Sequence, residues 1–235
     1  MPIDPRAAND INIDLENRLF NFLQKKQAIE LLMSLLKQKN QKDLISLLCN
    51  GSFIPRETLF ATIEKYDKAL IHKLFDEPDS ESDMAVPIFR RLKEEGYFVS
   101  QEVPLPKTGK SRARKMDLAG YKLEKKKGLF GGTNIVVMGY ELKSEGTRGA
   151  IDKAFSQAND YLSACEAARV CFSPLLYAKY YDVIHEKAKD YNVGVQVVGK
   201  SAIYFEVKAT PYNKEVPDNI QQQMVEYIKG GKGFQ

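Results

Sequence analysis

The sequence has few of the residues that build soft-metal or disulfide chemistry: three cysteines and two histidines in 235 residues. Cys49, Cys165 and Cys171 are odd in number and show no paired metal spacing. They read as reduced thiols of a cytosolic protein, not as a disulfide framework or a zinc site. His72 and His185 stand alone, which argues against a histidine-rich metal centre. No apolar run approaches the ~20 residues of a membrane helix, so no membrane partner is expected. The opening Met1-Pro-Ile-Asp-Pro-Arg6 has no basic segment followed by an apolar one. A secretory signal is therefore not expected, and the expected location is cytoplasmic. Internal repeats and low-complexity segments are also missing.

What is present suits a folded protein. Apolar residues make up 43% and charged residues 28%, ordinary values for a globular chain. The length allows one core and a small second domain. The net charge of +4 becomes informative once it is mapped. Between Lys107 and Lys127 nine basic residues face two acids, Asp117 and Glu124, so this stretch carries +7 and the rest −3. Positive charge gathered in one place attracts phosphate polyanions, whereas scattered lysines mostly solubilise. A pair of solvated hairpin tips is the alternative for this stretch.

Residues 10–76 repeat apolar side chains at helical spacing, as in Leu15, Leu19, Phe22 and Leu23. The acidic, turn-rich run Asp76–Asp83 reads as a linker. Three regions follow: a helical domain over 1–78, an α/β domain over 79–210, and a tail with a short helix over 211–235. Within the second, Ser82 or Asp83 caps a helix through Lys93, with Pro87 in about its first turn. Strands are expected over 97–103, 115–121 and 134–143. A helix over 148–168, a strand over 169–172, a helix over 178–191 and strands over 193–198 and 203–207 complete it. This order implies a mixed α/β sheet with helices packed on it.

Residues two apart on a strand share a face, so Glu141 and Lys143 point the same way at the end of an apolar strand. Charges continuing an apolar face need a reason, because unpaired buried charge is costly. Asp117 lies mid-strand between Met116 and Leu118. If the two strands are neighbours, two carboxylates and an ammonium converge. Such a pair of carboxylates binds a hard divalent cation such as Mg²⁺ through oxygen. The metal would stabilise charge on a phosphate, and Lys143 would orient or deprotonate the attacking water. Gln157 and Tyr161 sit four apart on the following helix and share a face, flanked by Ala154 and Ala158.

Asp117, Glu141-Leu142-Lys143 and Gln157-Ala-Asn-Asp-Tyr161 together resemble the PD-(D/E)xK nucleases. The Gln-x-x-x-Tyr element is similar to that of RecB-like and related exonuclease domains. The resemblance covers roughly residues 80–208. Met116 stands where the family has proline before the aspartate, a position that varies. The resemblance implies a restriction-endonuclease-like fold and Mg²⁺-dependent cleavage of phosphodiester bonds in DNA, with Mn²⁺ able to substitute. It implies that Asp117 and Glu141 hold metal, that Lys143 acts on water, and that Gln157 positions it with Tyr161 beside it. The first helix of that fold often supplies one more acid, here Glu81 or else Asp83. Expected DNA contacts are Lys107, Lys110, Arg112, Arg114 and Lys115, with Arg148 and Lys153 opening the Gln157 helix. A second copy of the chain, in a homodimer, is a further candidate partner beside DNA. A nucleic-acid-binding or interaction module that keeps the fold without catalysis is the alternative function. Glu206-Val-Lys208, followed by Gln223 and Tyr227, imitates the motif on a later strand. It is set aside because strand 193–198 before it carries no acid.

Overall fold

The computed structural model describes residues 72–73, 75–106, 114–125, 133–208 and 216–231. The chain divides into two compact units, Met1–Phe75 and Asp76–Gln235. The helices expected over residues 10–76 fall almost wholly outside the described residues, as do Lys107, Lys110 and Arg112.

The second unit is an α/β structure with an open, mixed, six-stranded sheet flanked by helices. Its elements run α1 (Glu81–Glu94), β1 (Phe98–Pro104), β2 (Lys115–Lys125), β3 (Thr133–Lys143), α2 (Arg148–Tyr161), β4 (Ala167–Phe172), α3 (Pro174–Lys179), α4 (Tyr181–Tyr191), β5 (Gly194–Val198), β6 (Ile203–Val207) and α5 (Asp218–Gly230). The strands lie in sequence order across the sheet. The meander β1–β2–β3 is antiparallel, β3–β4–β5 is parallel, and β6 returns antiparallel at the far edge. The parallel steps are bridged by helices, as a crossover requires.

Helix α1 starts earlier than the sequence suggests. Ser80, not Ser82 or Asp83, is the N-cap: its side chain accepts from the Asp83 amide, and Asp83 accepts from the Ser80 amide. This reciprocal capping box satisfies two otherwise orphaned donors. Pro87 is then the seventh helical residue, not a first-turn one, and lies inside the helix. Met84, Ala85, Ile88 and Leu92 form the buried stripe of α1. They pack on Tyr97, Val99, Leu118, Met138, Tyr140 and Leu142, the α1-facing side of the sheet. Gly96, at φ +83°, makes the turn that lets the Tyr97 amide bond to the Leu92 carbonyl.

The opposite face carries α2 and α5. The Phe155 ring of α2 lies 5.9 Å from that of Phe172, and Gln221 of α5 donates to the Ile135 carbonyl. Helix α2 ends at Tyr161, seven residues before the expected end at 168. The alanine-rich continuation has helical propensity, but tertiary contacts override it. Ala164 and Cys165 are buried. Glu166 exchanges bonds with Val137, its amide donating to the Val137 carbonyl and its carboxylate accepting from the Val137 amide. The expected helix over 178–191 is two helices, broken at Tyr180. The first starts earlier because Ser173 caps it and Pro174 occupies the first position, where its missing N–H costs nothing.

The segment leading into α1 is fastened to the β5–β6 turn. Asp76, at φ +54°, accepts from the Ser201 amide, the Ser201 hydroxyl and the Tyr204 hydroxyl. Beside it Glu77 is buried and accepts from the Leu175 amide.

Among the described residues no helix is long and apolar enough to cross a membrane.

Candidate active site

Strands β2 and β3 pair from Lys125↔Thr133 as far as Leu118↔Tyr140. Continuing that register would set Asp117 opposite Glu141, but the ladder stops there. Beyond it β2 follows β1, through Met116↔Val103 and Lys115↔Pro104. Strand β3 follows β4 instead, through Glu141↔Val170 and Lys143↔Phe172. The sheet therefore forks. In the fork the Leu142 amide has no strand carbonyl opposite it and donates to Asp117 Oδ2 at 2.8 Å. An acidic side chain here replaces a ladder acceptor.

The alternation of β2 breaks at the same point. Leu118 belongs to the α1-facing core. Met116, two residues away, belongs to the other face, its sulfur 3.7 Å from Cys165 Sγ. On a regular strand these two would share a face. The strand turns between them, and Asp117 at the turn is directed into the fork.

Glu141 is 2% exposed, and its burial is tolerable only because both oxygens have partners. The Lys143 ammonium lies 3.0 Å from Oε1. The Tyr161 hydroxyl contacts Oε2 and is also 3.2 Å from the Lys115 carbonyl. Tyr161 comes this close because Gly139 has no side chain. A Cβ at position 139 would lie 3.2 Å from the Tyr161 ring and 2.9 Å from Met116 Sδ.

The ammonium of Lys143 sits among three oxygens: Glu141 Oε1, the Leu142 carbonyl at 2.6 Å and Glu81 Oε1 at 3.1 Å. Glu81 reaches it from the first turn of α1. Asp83 does not, because its carboxylate is occupied by the Asp79 and Ser80 amides. Of the two acids considered for this role, the fold therefore brings Glu81 to the site.

The electrostatics follow from this crowding. Burial, reinforced by the charge of Glu141, pushes the Asp117 carboxyl up to about 6. Burial works against the Lys143 ammonium, but Glu141, Glu81 and Asp117 outweigh it and hold its pKa above the ordinary lysine value. Burial, then the charge of Glu141, likewise holds the Tyr161 phenol above its usual value. In this state Lys143 is a donor and a positive charge, not a base.

Asp117, Glu141 and the Leu142 carbonyl form an all-oxygen donor set, which fits a hard divalent cation. The ammonium already seated on two of these oxygens shows that they attract a cation. Among the described residues no group of three or more histidines, cysteines or acids is placed to hold a metal. A Mg²⁺ ion does not need one, since it binds through one or two carboxylates and keeps waters or phosphate oxygens in its other positions.

The remaining expected residues vary in placement. Gln157 lies one helical turn before Tyr161 and is partly exposed, and among the described residues no hydrogen bond holds it. Arg148 is exposed at the first position of α2. Arg114 is ion-paired with Asp160, and Lys115 lies 3.3 Å from Glu102, so neither is an isolated surface cation. The imitating motif is not assembled. Strand β6 is at the sheet edge, three strands from β3. Glu206 was expected to face solvent but is largely buried, lying 2.7 Å from Arg169 and 2.9 Å from Arg91. Arg91 on α1 and Arg169 on β4 balance the charge of the buried carboxylate there. Gln223 and Tyr227 bond to each other on the exposed side of α5.

Two supporting groups were not anticipated. One is the Leu142 amide, which donates to a side chain in place of a strand carbonyl because the strands part. The other is Glu166, whose carboxylate joins Val137 on β3 to Gln221 on α5. Its only sequence signal is a lone acid within the run Ala164-Cys165-Glu166-Ala167.

The chain matches no family model, no curated protein and no solved structure.

Proposed function

We propose that this chain is a metal-dependent nuclease of the PD-(D/E)xK type, with a restriction-endonuclease-like core, that hydrolyses phosphodiester bonds in DNA. The observation that carries the reading is the convergence of Asp117, Glu141 and Lys143 at the fork between β2 and β3, with Tyr161 and Glu81 closing around them. Two carboxylates and an ammonium at a sheet end, beside a stretch rich in basic residues, suit phosphate chemistry better than a structural ion pair. Arg169 and Glu206 provide a structural pair within the same sheet.

A bound Mg²⁺ or Mn²⁺ would supply Lewis acidity toward a phosphate oxygen and a water of lowered pKa. Asp117 and Glu141 would hold it. Tyr161 fixes the rotamer of Glu141, and the Leu142 amide fixes that of Asp117. Lys143, kept protonated by three acids, donates to the attacking water or to the phosphate and so orients the reactants. That is the orienting half of the role expected for it. Deprotonating water is left to other groups. Gln157, partly exposed one turn from Tyr161, has its amide available for substrate.

The test compares two lysines. Lys143→Ala should abolish cleavage of linear, nicked, single-stranded and branched DNA with Mg²⁺ or Mn²⁺ while leaving DNA binding intact, because such a group acts mainly in the transition state. Lys208→Ala should cleave like the wild type. The reverse pattern would reassign the site to β6. A wild type that binds DNA but cuts none of these substrates would favour a binding module that keeps the fold without catalysis.

A further inference from the structure

Arg114 and Lys115 enter β2 directly from the basic stretch and are neighbours of the site. Two adjacent residues of α2 hold them. Asp160 takes the Arg114 guanidinium, and Tyr161, the next residue, takes the Lys115 carbonyl together with Glu141. The Leu105 amide bonds to the Arg114 carbonyl at 2.8 Å, which closes the neck of the β1–β2 connection. The backbone of Arg114 is thus fixed relative to the catalytic carboxylates. Two residues, Lys115 and Met116, separate it from Asp117, a span of three residue steps or roughly 10 Å at the rise of a β-strand. That distance lies beyond the bond being cut and within reach of a neighbouring backbone phosphate.

The ion pair itself is open to exchange. The Arg114 and Asp160 side chains are 44% and 40% exposed. A pair this exposed contributes little stability. A phosphate offers a guanidinium two parallel charge-assisted bonds.

We propose that Asp160 is the resting counter-ion of a phosphate-binding Arg114, and that a backbone phosphate next to the scissile one replaces it when a DNA strand enters. This rests on the nuclease reading and adds to it a specific contact and the residue that tunes it. Asp160 is not a catalytic residue. It sets how readily a strand gains its grip beside the site.

The experiment is a double-mutant cycle read by fluorescence anisotropy in metal-free buffer, where cleavage does not intrude. The probes are a fluorescein-labelled DNA duplex and its separated strand. Asp160→Asn should tighten binding about 2–5-fold, the scale of one exposed ion pair. Arg114→Gln should weaken binding and lower the salt slope by about one. With Arg114→Gln already present, Asp160→Asn should have no effect, because the carboxylate acts through the arginine. An equal gain in both backgrounds would mean general charge repulsion and would overturn the proposal, as would unchanged affinity in Asp160→Asn. Asp160→Ser, which removes the charge with a smaller side chain, should repeat the result if the asparagine variant folds poorly. A wild type without affinity for either probe would overturn this inference and the nuclease reading together. DNA binding and cleavage with no coupling would overturn this inference alone.

Discussion

Asp117→Asn should make the metal-free protein more stable while removing the proposed metal-dependent cleavage. In the folded protein the Asp117 carboxyl is pushed from 3.8 up to about 6, first by burial and then by Glu141. Between those two values the folded state binds more protons than the unfolded state. Stability therefore falls as the pH rises through this window, and above about pH 6 the full cost is present. A shift of about 2 units at 1.36 kcal/mol each is roughly 3 kcal/mol, which partial exposure reduces to about 2. Asparagine keeps an acceptor for the Leu142 amide and carries no charge. At pH 8 the variant should melt about 4–8 °C above the wild type, taking 2–4 °C per kcal/mol for a unit of this size. At pH 4 the two should converge. Added Mg²⁺ should raise the melting temperature of the wild type and leave the variant where it was, because a cation offsets the repulsion only where a carboxylate is present to bind it. Calorimetric or fluorescence melts over this pH range, with and without Mg²⁺, supply the measurement. If the variant melts below the wild type at pH 8, or Mg²⁺ stabilises both alike, Asp117 is an ordinary structural acid and the argument for a destabilised metal site fails.

Tyr161→Phe removes the hydroxyl that contacts Glu141 and the Lys115 carbonyl. It should cost about 1.5–3 kcal/mol, the worth of a hydrogen bond to a charged group, and lower cleavage with little change in DNA affinity. Denaturant melts and a cleavage assay check this, and a variant with wild-type values in both would show that the hydroxyl does not position the carboxylate. Glu77 is pushed up to about 7, mainly by burial and despite bonds from Ser173 and the Leu175 amide. Its folded value lies above the unfolded one, so its contribution to stability falls as the pH rises from about 4.5 to 7. Glu77→Gln should remove that fall, a gain of at most about 3 kcal/mol at pH 8. Superimposable stability–pH curves for variant and wild type would count against this account.

Much of the core was legible because hydrophobic periodicity reports it directly. The strands carrying Asp117 and Glu141 were expected to be neighbours because successive strands usually are, and they pair from Lys125↔Thr133 to Leu118↔Tyr140. The features that make the site depend on tertiary geometry, which leaves little trace in sequence. The fork has no motif of its own, so neither the bond from Leu142 to Asp117 nor the turn of β2 between Met116 and Leu118 could be read in advance. Local signals also competed. Ser80, Ser82 and Asp83 all favour a helix start, and the choice fell to Ser80, from which Asp83 can complete the capping box. The alanine-rich run after Tyr161 favours helix, but Glu166 is drawn into pairing with Val137. Glu206 looked like a solvent-facing charge because nothing in the sequence shows that Arg91 and Arg169 meet it from different elements.

Gly139 limits how this site can diversify. Any side chain there would press on Met116, Cys165 and Tyr161 together, at 2.9–3.2 Å. A side chain at this position requires Met116, Cys165 and Tyr161 to give way, and a shift of the Tyr161 ring disturbs its bond to Glu141. If the chain cleaves DNA as proposed, heritable change in substrate preference would be channelled outward, to positions such as Arg114 and Asp160, whose side chains are exposed. A mutational scan should then show two adjoining zones, an intolerant one radiating from Gly139 and a permissive one beginning a single residue beyond Tyr161's contacts.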